Sequence, residues 1–190
     1  NWKYPHSIGL FYSAITKRIG LKPNEDEYIT MGMAAYGEPS INMRWMFDLP
    51  DQNWHRGIPL AFFGGMAPED IAASAQAEVE RQITQVMNVA QNYGKNLCYG
   101  GGVALNCVAN SRILPSRFKK RWIFPNPGDA GSSLGAALGY LGRKVEYKHC
   151  FWGNEIVGSP NPRRIVDYLL LNKVVGVANG KTEFGPRALG

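Results

Sequence analysis

Tyr99-Gly-Gly-Gly-Val-Ala-Leu-Asn106-Cys-Val-Ala-Asn110-Ser-Arg112 decides how this chain is read. The run follows a short apolar strand, Asn96-Leu97-Cys98-Tyr99, and opens a stretch of helical period. Glycines 100, 101 and 102 let main chain approach a guest that any side chain would hold off. Their amides, with those of the new helix N-terminus, make an anion site. A nucleotide phosphate is the expected guest. The plainer alternative is close packing of helix against strand.

A second turn of the same grammar lies about twenty residues on, at Phe124-Pro-Asn-Pro-Gly128-Asp129-Ala-Gly131-Ser-Ser-Leu-Gly135-Ala-Ala-Leu138. It adds a carboxylate. Asp129 is expected either to hold a metal ion near phosphate or to cap the following helix. Gly131, Gly135 and Gly139 are expected to let that helix pack closely.

Working outward, Ser7 caps an apolar-periodic helix that ends at Gly20. A short helix follows in 24–39, closed by Gly37 and Pro39, with Met31 and Tyr36 as packing residues. Residues 40–66 mix aromatics with Pro and Gly and read as irregular, with room for short strands. Pro68 to Tyr93 is the clearest helix, with Pro68, Glu69 and Asp70 at its start and Gly94 at its end. Beyond the second turn, Pro162 opens a helix over 163–172. Lys173 to Ala178 reads as a strand.

The 190 residues suffice for one large domain. Hydrophobic residues make up 45% and charged residues 19%, an ordinary globular balance. No stretch is apolar enough to cross a bilayer, and no signal peptide opens the chain, so the expected compartment is cytoplasmic. The net charge of +6 suits anionic substrates and gives no need for a nucleic-acid partner. Cys98, Cys107 and Cys150 show no paired spacing, and the first two read as small core residues. His6, His55 and His149 lack ligand spacing and read as ordinary histidines. Both ends of the chain read as cut points, so a fragment is expected, with a boundary near 150–162.

Four segments, in order, resemble the NodU/CmcH-type carbamoyltransferases, a family that includes nodulation-factor and antibiotic O-carbamoyltransferases. They are Tyr4-Pro-His-Ser-Ile-Gly-Leu-Phe-Tyr-Ser-Ala-Ile-Thr16, then Glu27-Tyr-Ile-Thr-Met-Gly-Met-Ala-Ala-Tyr-Gly37, then the two glycine turns, and finally Glu183-Phe-Gly-Pro-Arg187-Ala-Leu-Gly190. The last is the most specific. The resemblance implies an α/β fold, part of an actin/hexokinase/Hsp70-like (ribonuclease H-like) ATPase domain with a mixed sheet flanked by helices. Residues 1–150 would be the second half of that Kae1-like carbamoyltransferase domain. Residues 151–190 would be a linker and the start of the YrdC-like region.

The activity so implied is O-carbamoyl transfer by the full-length enzyme. Carbamoyl phosphate and ATP give a carbamoyl adenylate, and the carbamoyl group passes to a hydroxyl of a small-molecule or sugar acceptor. Iron(II) or magnesium would assist. The fragment alone is expected to be inactive and, with apolar surface uncovered, to self-associate as a homo-oligomer. By the same resemblance Gly100, Gly101, Gly102, Val103, Asn106 and Gly128 bind nucleotide, Asp129 holds metal, and Glu183 and Arg187 belong to the catalytic machinery. Two departures stand out. The family's His-x-x-x-His pair is absent from this sequence, and Ile29 replaces a common Lys. Two other readings stay open: a threonylcarbamoyl transferase acting on transfer RNA, and a nucleotide-binding module without catalysis.

Overall fold

A computed structural model describes residues 6–49 and 53–186. The chain divides into two compact units, 1–123 and 124–190. That division lies upstream of the boundary expected near 150–162.

The first unit is built on three helices and one βαβ turn. Helix α1 (Ile8–Arg18) starts where Ser7 Oγ accepts the Leu10 amide at 3.0 Å, as the capping pattern predicts. It stops at Gly20, whose φ of +89° no branched side chain adopts readily. Helix α2 (Glu27–Met33) is shorter than the sequence suggests. The chain then turns through Gly37, where an added Cβ would collide with the Glu69 backbone. Gly37 is thus required by close approach.

Helix α3 (Pro68–Ala90) is the longest element and carries the core stripe Ile71, Ala75, Val79, Ile83 and Met87. Its alanines let neighbours approach on other faces too, so Ser74, Gln76, Glu78 and Gln82 are also buried. The core is completed by Phe11, Ile15, Met43, Met46, Trp54 and Phe118. Residues 40–66 form no strand among the described residues. They make two 3-10 turns, Arg44–Asp48 and Trp54–Arg56, which feed Met46 and Trp54 into the core. Arg18 fixes the end of this excursion by donating to the carbonyls of Phe62 (2.9 Å) and Leu60 (3.1 Å).

Strand β1 (Asn96–Tyr99) and strand β2 (Lys120–Ile123) pair in parallel, Asn96 with Lys120 through Tyr99 with Ile123. Helix α4 (Cys107–Ile113) makes the crossover. Leu97, Tyr99 and Ile123 pack against the core, while Asn96, Cys98 and Trp122 face outward. Cys98 and Cys107 are exposed, not core residues. A strand alternates faces, and among the described residues only one face of this pair is covered.

The second unit holds helix α5 (Ser132–Leu141), strand β3 (Phe151–Glu155), helix α6 (Pro162–Asn172) and strand β4 (Lys181–Glu183). Asn161 caps α6 by accepting the Arg163 and Arg164 amides at 3.0 and 3.3 Å. β3 and β4 pair antiparallel. Among the described residues the strands form two separate two-stranded sheets, one parallel and one antiparallel, where a mixed sheet is expected. The strand expected over 173–178 is irregular chain, because its backbone finds no partner strand there. Around β3 and β4 the rings of Phe124, Tyr147, Trp152 and Phe184 gather, with Trp152 and Phe184 stacked at 5.4 Å. On α6, Leu170 and Leu171 are exposed.

Candidate functional site: an anchored glycine turn

The glycine turn begins where β1 ends. Tyr99, half-buried beneath it, has its phenol pushed up to about 12 by burial. Gly101 has φ +93°, the left-handed side of backbone space, and a side chain there is strained. A Cβ added at Gly100, Gly101 or Gly102 meets nothing within 4 Å. Packing against a strand does not explain these glycines. They border open space, as a turn that receives a ligand must.

Beyond Gly101 the chain makes a 3-10 turn, Gly102–Leu105, closed by Ala104 N–H donating to Gly101 O and Asn106 N–H donating to Val103 O, each at 3.0 Å. The first amides of such a turn have no acceptor within it. These amides are free of partners within the turn. The N-terminus of α4, which the sequence nominates as well, already has one amide capped. Asn106 Oδ1 accepts the Ala109 amide at 3.0 Å. Val103 is half-buried against the core, its side chain close to Gly9 of α1, so it can serve a ligand through its backbone.

The far side of the turn is held rigidly. Asn110 Nδ2 donates to Ala104 O at 2.7 Å. The Asn106 amide pairs face to face with that of Gln76 on α3: Asn106 Nδ2 donates to Gln76 Oε1 at 2.9 Å, and Gln76 Nε2 donates to Asn106 Oδ1 at 3.1 Å. Tyr12 Oη donates to Gln76 Oε1 at 2.9 Å, and Gln76 Nε2 also donates to Glu80 Oε1 at 2.9 Å. Arg112 Nη1 of α4 reaches the two Glu80 oxygens at 2.9 and 3.1 Å. Asn106, a nucleotide contact by resemblance, is 8% exposed and committed to this network.

Sequence reading misses Gln76, Tyr12, Glu80 and Asn110. The available signal was Gln76 inside the alanine-rich first half of α3, a polar side chain where the apolar pattern leaves no solvent-facing explanation.

In the second unit, Gly128 precedes a 3-10 turn, Asp129–Gly131, that leads into α5. Asp129 is exposed and caps nothing. Gly131 lies so close to the Asn126 carbonyl that a Cβ would collide with it, so this glycine is a packing device. Gly135 and Gly139 border open space instead. No group of three His, Cys, Asp or Glu side chains that could hold a metal occurs among the described residues. One exposed carboxylate is not a complete iron site, and these residues do not by themselves fit that metal.

Glu183 closes β4 opposite Phe151. Its Oε2 is buried and has no hydrogen-bond partner among the described residues. Arg187 lies outside the described residues. Ile29, the departure from the usual Lys, lines an open groove with Gly32, Met33, Tyr36 and Glu69. Tyr36 is 87% exposed at its rim and is not a packing residue. No helix of the described residues is long and apolar enough to cross a membrane.

Comparison with known proteins adds a family. The family described as carbamoyltransferase N-terminus matches residues 1–138. An uncharacterized protein of Synechocystis is 34% identical over 250 residues, covering 98% of this chain and 41% of that protein. The nodulation protein NolNO of Sinorhizobium fredii is 28% identical, over 97% of this chain and 34% of its own length. Nodulation protein U of the same organism is 31% identical over 67% of this chain and 26% of its own. The chain thus spans about two fifths, or less, of the length of these relatives.

Proposed function

This chain belongs to the carbamoyltransferase N-terminus family, and on that premise we propose that the full-length protein transfers a carbamoyl group to a hydroxyl acceptor using ATP. The observation that carries the nucleotide part is the glycine turn: Gly101 at positive φ, open space at 100–102, and a rigid hold from behind. The βαβ unit that presents it is read as part of an actin/hexokinase/Hsp70-like domain.

In this reading the backbone of Gly100, Gly101, Gly102 and Val103 holds phosphate. The carbamate left when carbamoyl phosphate loses inorganic phosphate displaces pyrophosphate from ATP to give carbamoyl adenylate, and transfer of its carbamoyl group to the acceptor hydroxyl releases AMP. Asn106 acts by placing the turn. Fixed amides aimed at developing negative charge stabilise it without reorganising, which is how a turn of this kind promotes acyl-type transfer. Gly128 and Asp129, in the second unit taken by itself, are proposed to bind nucleotide and a metal ion respectively. Glu183 and Arg187 are proposed as substrate-facing groups.

The test is calorimetric titration of ATP into the full-length protein and its Gly101→Val variant, with release of pyrophosphate from ATP in the presence of carbamoyl phosphate followed alongside. Saturable binding lost in the variant, with pyrophosphate formed only when both substrates are present, supports the proposal. Tight ATP binding without turnover in the full-length protein moves the reading to a non-catalytic nucleotide module.

A further inference from the structure

We infer that Gln76 is the positioning residue of the glycine turn, locking Asn106 so that residues 100–105 present their amides in one fixed arrangement. The inference rests on the turn being the nucleotide site. Gln76 is buried in α3, 5% exposed, and its hydrogen bonds toward the turn run through Asn106.

The amide of Gln76 can sit only one way round. Glu80, a carboxylate, accepts and cannot donate, so Nε2 must face it. Oε1 then faces Tyr12, whose buried phenol keeps its proton because burial, with Glu27 and Glu80 nearby, raises its pKa. All four hydrogen-bonding positions of Gln76 are thereby used: two donors to Glu80 and Asn106, two acceptor sites for Tyr12 and Asn106. This orientation dictates that of Asn106, whose Oδ1 must meet Nε2 and whose Nδ2 must meet Oε1. The Ala109 amide, pointing at Oδ1, agrees.

An apolar pair here would bury as well but would leave α3 free to slide against α4. Fully satisfied buried networks select one arrangement, and half-satisfied ones are costly. Glu80 with Arg112 repeats the link one turn further along α3, so register between α3 and α4 is set twice. The turn between β1 and α4 inherits that register.

The experiment uses the full-length protein with ATP as probe. Four variants are compared with wild type: Gln76→Met, Gln76→Glu, Gly101→Val, and Thr30→Val as a control. Thr30 is fully buried and bonded to Thr16, which reaches the network only through the Tyr12 main-chain carbonyl and makes no bond to the Gln76–Asn106 amide pair. Gln76→Met is expected to weaken ATP binding about tenfold or more. It should also speed amide exchange in 100–106 by a similar factor, with α1 and α3 still protected. Thr30→Val should leave ATP affinity unchanged.

Gln76→Glu puts a carboxylate against Glu80 and Asn106 Oδ1. Its ATP affinity should fall near about pH 8 and recover toward about pH 5.5, as protonation restores a donor, while wild type shows no such trend. This pH signature also serves if Gln76→Met fails to fold. ATP binding by both Gln76 variants equal to wild type, with Gly101→Val impaired, overturns the positioning role and leaves the nucleotide reading standing. Wild type that does not bind ATP, or Gly101→Val that binds it normally, overturns both.

Discussion

Phe11 of α1 and Trp54 of the 40–66 excursion meet edge to face, ring centroids 5.3 Å apart at 75°, with Phe47 closing a three-ring cluster. Trp54 is 2% exposed, and its indole Nε1 is buried with no hydrogen-bond partner among the described residues. The ring therefore contributes packing and carries one unsatisfied donor. Trp54→Ala should cost about 3–5 kcal/mol, whereas Trp54→Phe, which removes the orphan N–H with part of the ring, should cost only about 1–2. Urea titration of both variants checks the difference. Equal losses would mean that the indole N–H does find a partner.

That cluster also shows where sequence reading stops. Helix α3 and the two glycine turns are legible because their signals are local: apolar period, Pro68 with two acids at the start, glycines after a strand. Trp54 and Met46 are not, since nothing near them has a period, and their burial comes from α1 packing across a long loop. Strand β3 was hidden for a related reason. Its partner β4 lies far along the chain, and Lys173 to Ala178, though apolar, has none. At the site, the glycines were visible and the support was not. Gln76 matters only because α3 lies across the start of α4, a tertiary fact.

Glu78 is a carboxylate buried to 5% exposure, held by Arg81 in a two-point contact at 2.6 and 2.8 Å and by Gln82 at 2.8 Å. Removing one partner leaves a buried charge undersatisfied. Arg81→Ala should cost about 1.5–3 kcal/mol, and Arg81→Lys should recover little because an ammonium cannot make the fork. Adding Glu78→Gln to Arg81→Ala should restore much of the loss. A double-mutant cycle on thermal unfolding measures this, and additive losses would count against the coupling.

Tyr12 and Tyr99 both have pKa values raised above the ordinary 10.0, chiefly by burial. The folded state thus holds these protons after the unfolded chain has released its own. Stability from this source is complete below about pH 10 and falls as pH rises further, through about 12 for Tyr99. The slope is at most about 1.4 kcal/mol per pH unit for each group. Tyr12→Phe and Tyr99→Phe should each flatten the alkaline limb of a urea-midpoint profile. An unchanged limb in both would refute the assignment.

Asp129 starts a 3-10 turn, its carbonyl accepting the Ser132 amide, but its side chain is exposed and makes no hydrogen bond or ion pair among the described residues. A helix cap would lose about 1 kcal/mol on truncation. Asp129→Ala should instead change stability by less than about 0.5 kcal/mol. Chemical denaturation decides between the two. Any loss of ligand binding in a variant this stable then reports on the carboxylate itself.

Gly100, Gly101 and Gly102 separate folding from binding. Only Gly101 has a positive φ, so Gly101→Ala should cost about 1–2 kcal/mol of stability through backbone strain. At Gly100 and Gly102 an added methyl meets nothing within 4 Å and no strained conformation. Alanine there should be neutral or slightly stabilising, since it reduces the freedom of the unfolded chain. If the space beside them is where phosphate approaches, all three alanines project into it. ATP affinity should then fall in all three variants, while stability falls in one. Loss of binding confined to Gly101→Ala would instead make turn conformation, not access to the backbone, the reason for three glycines in a row.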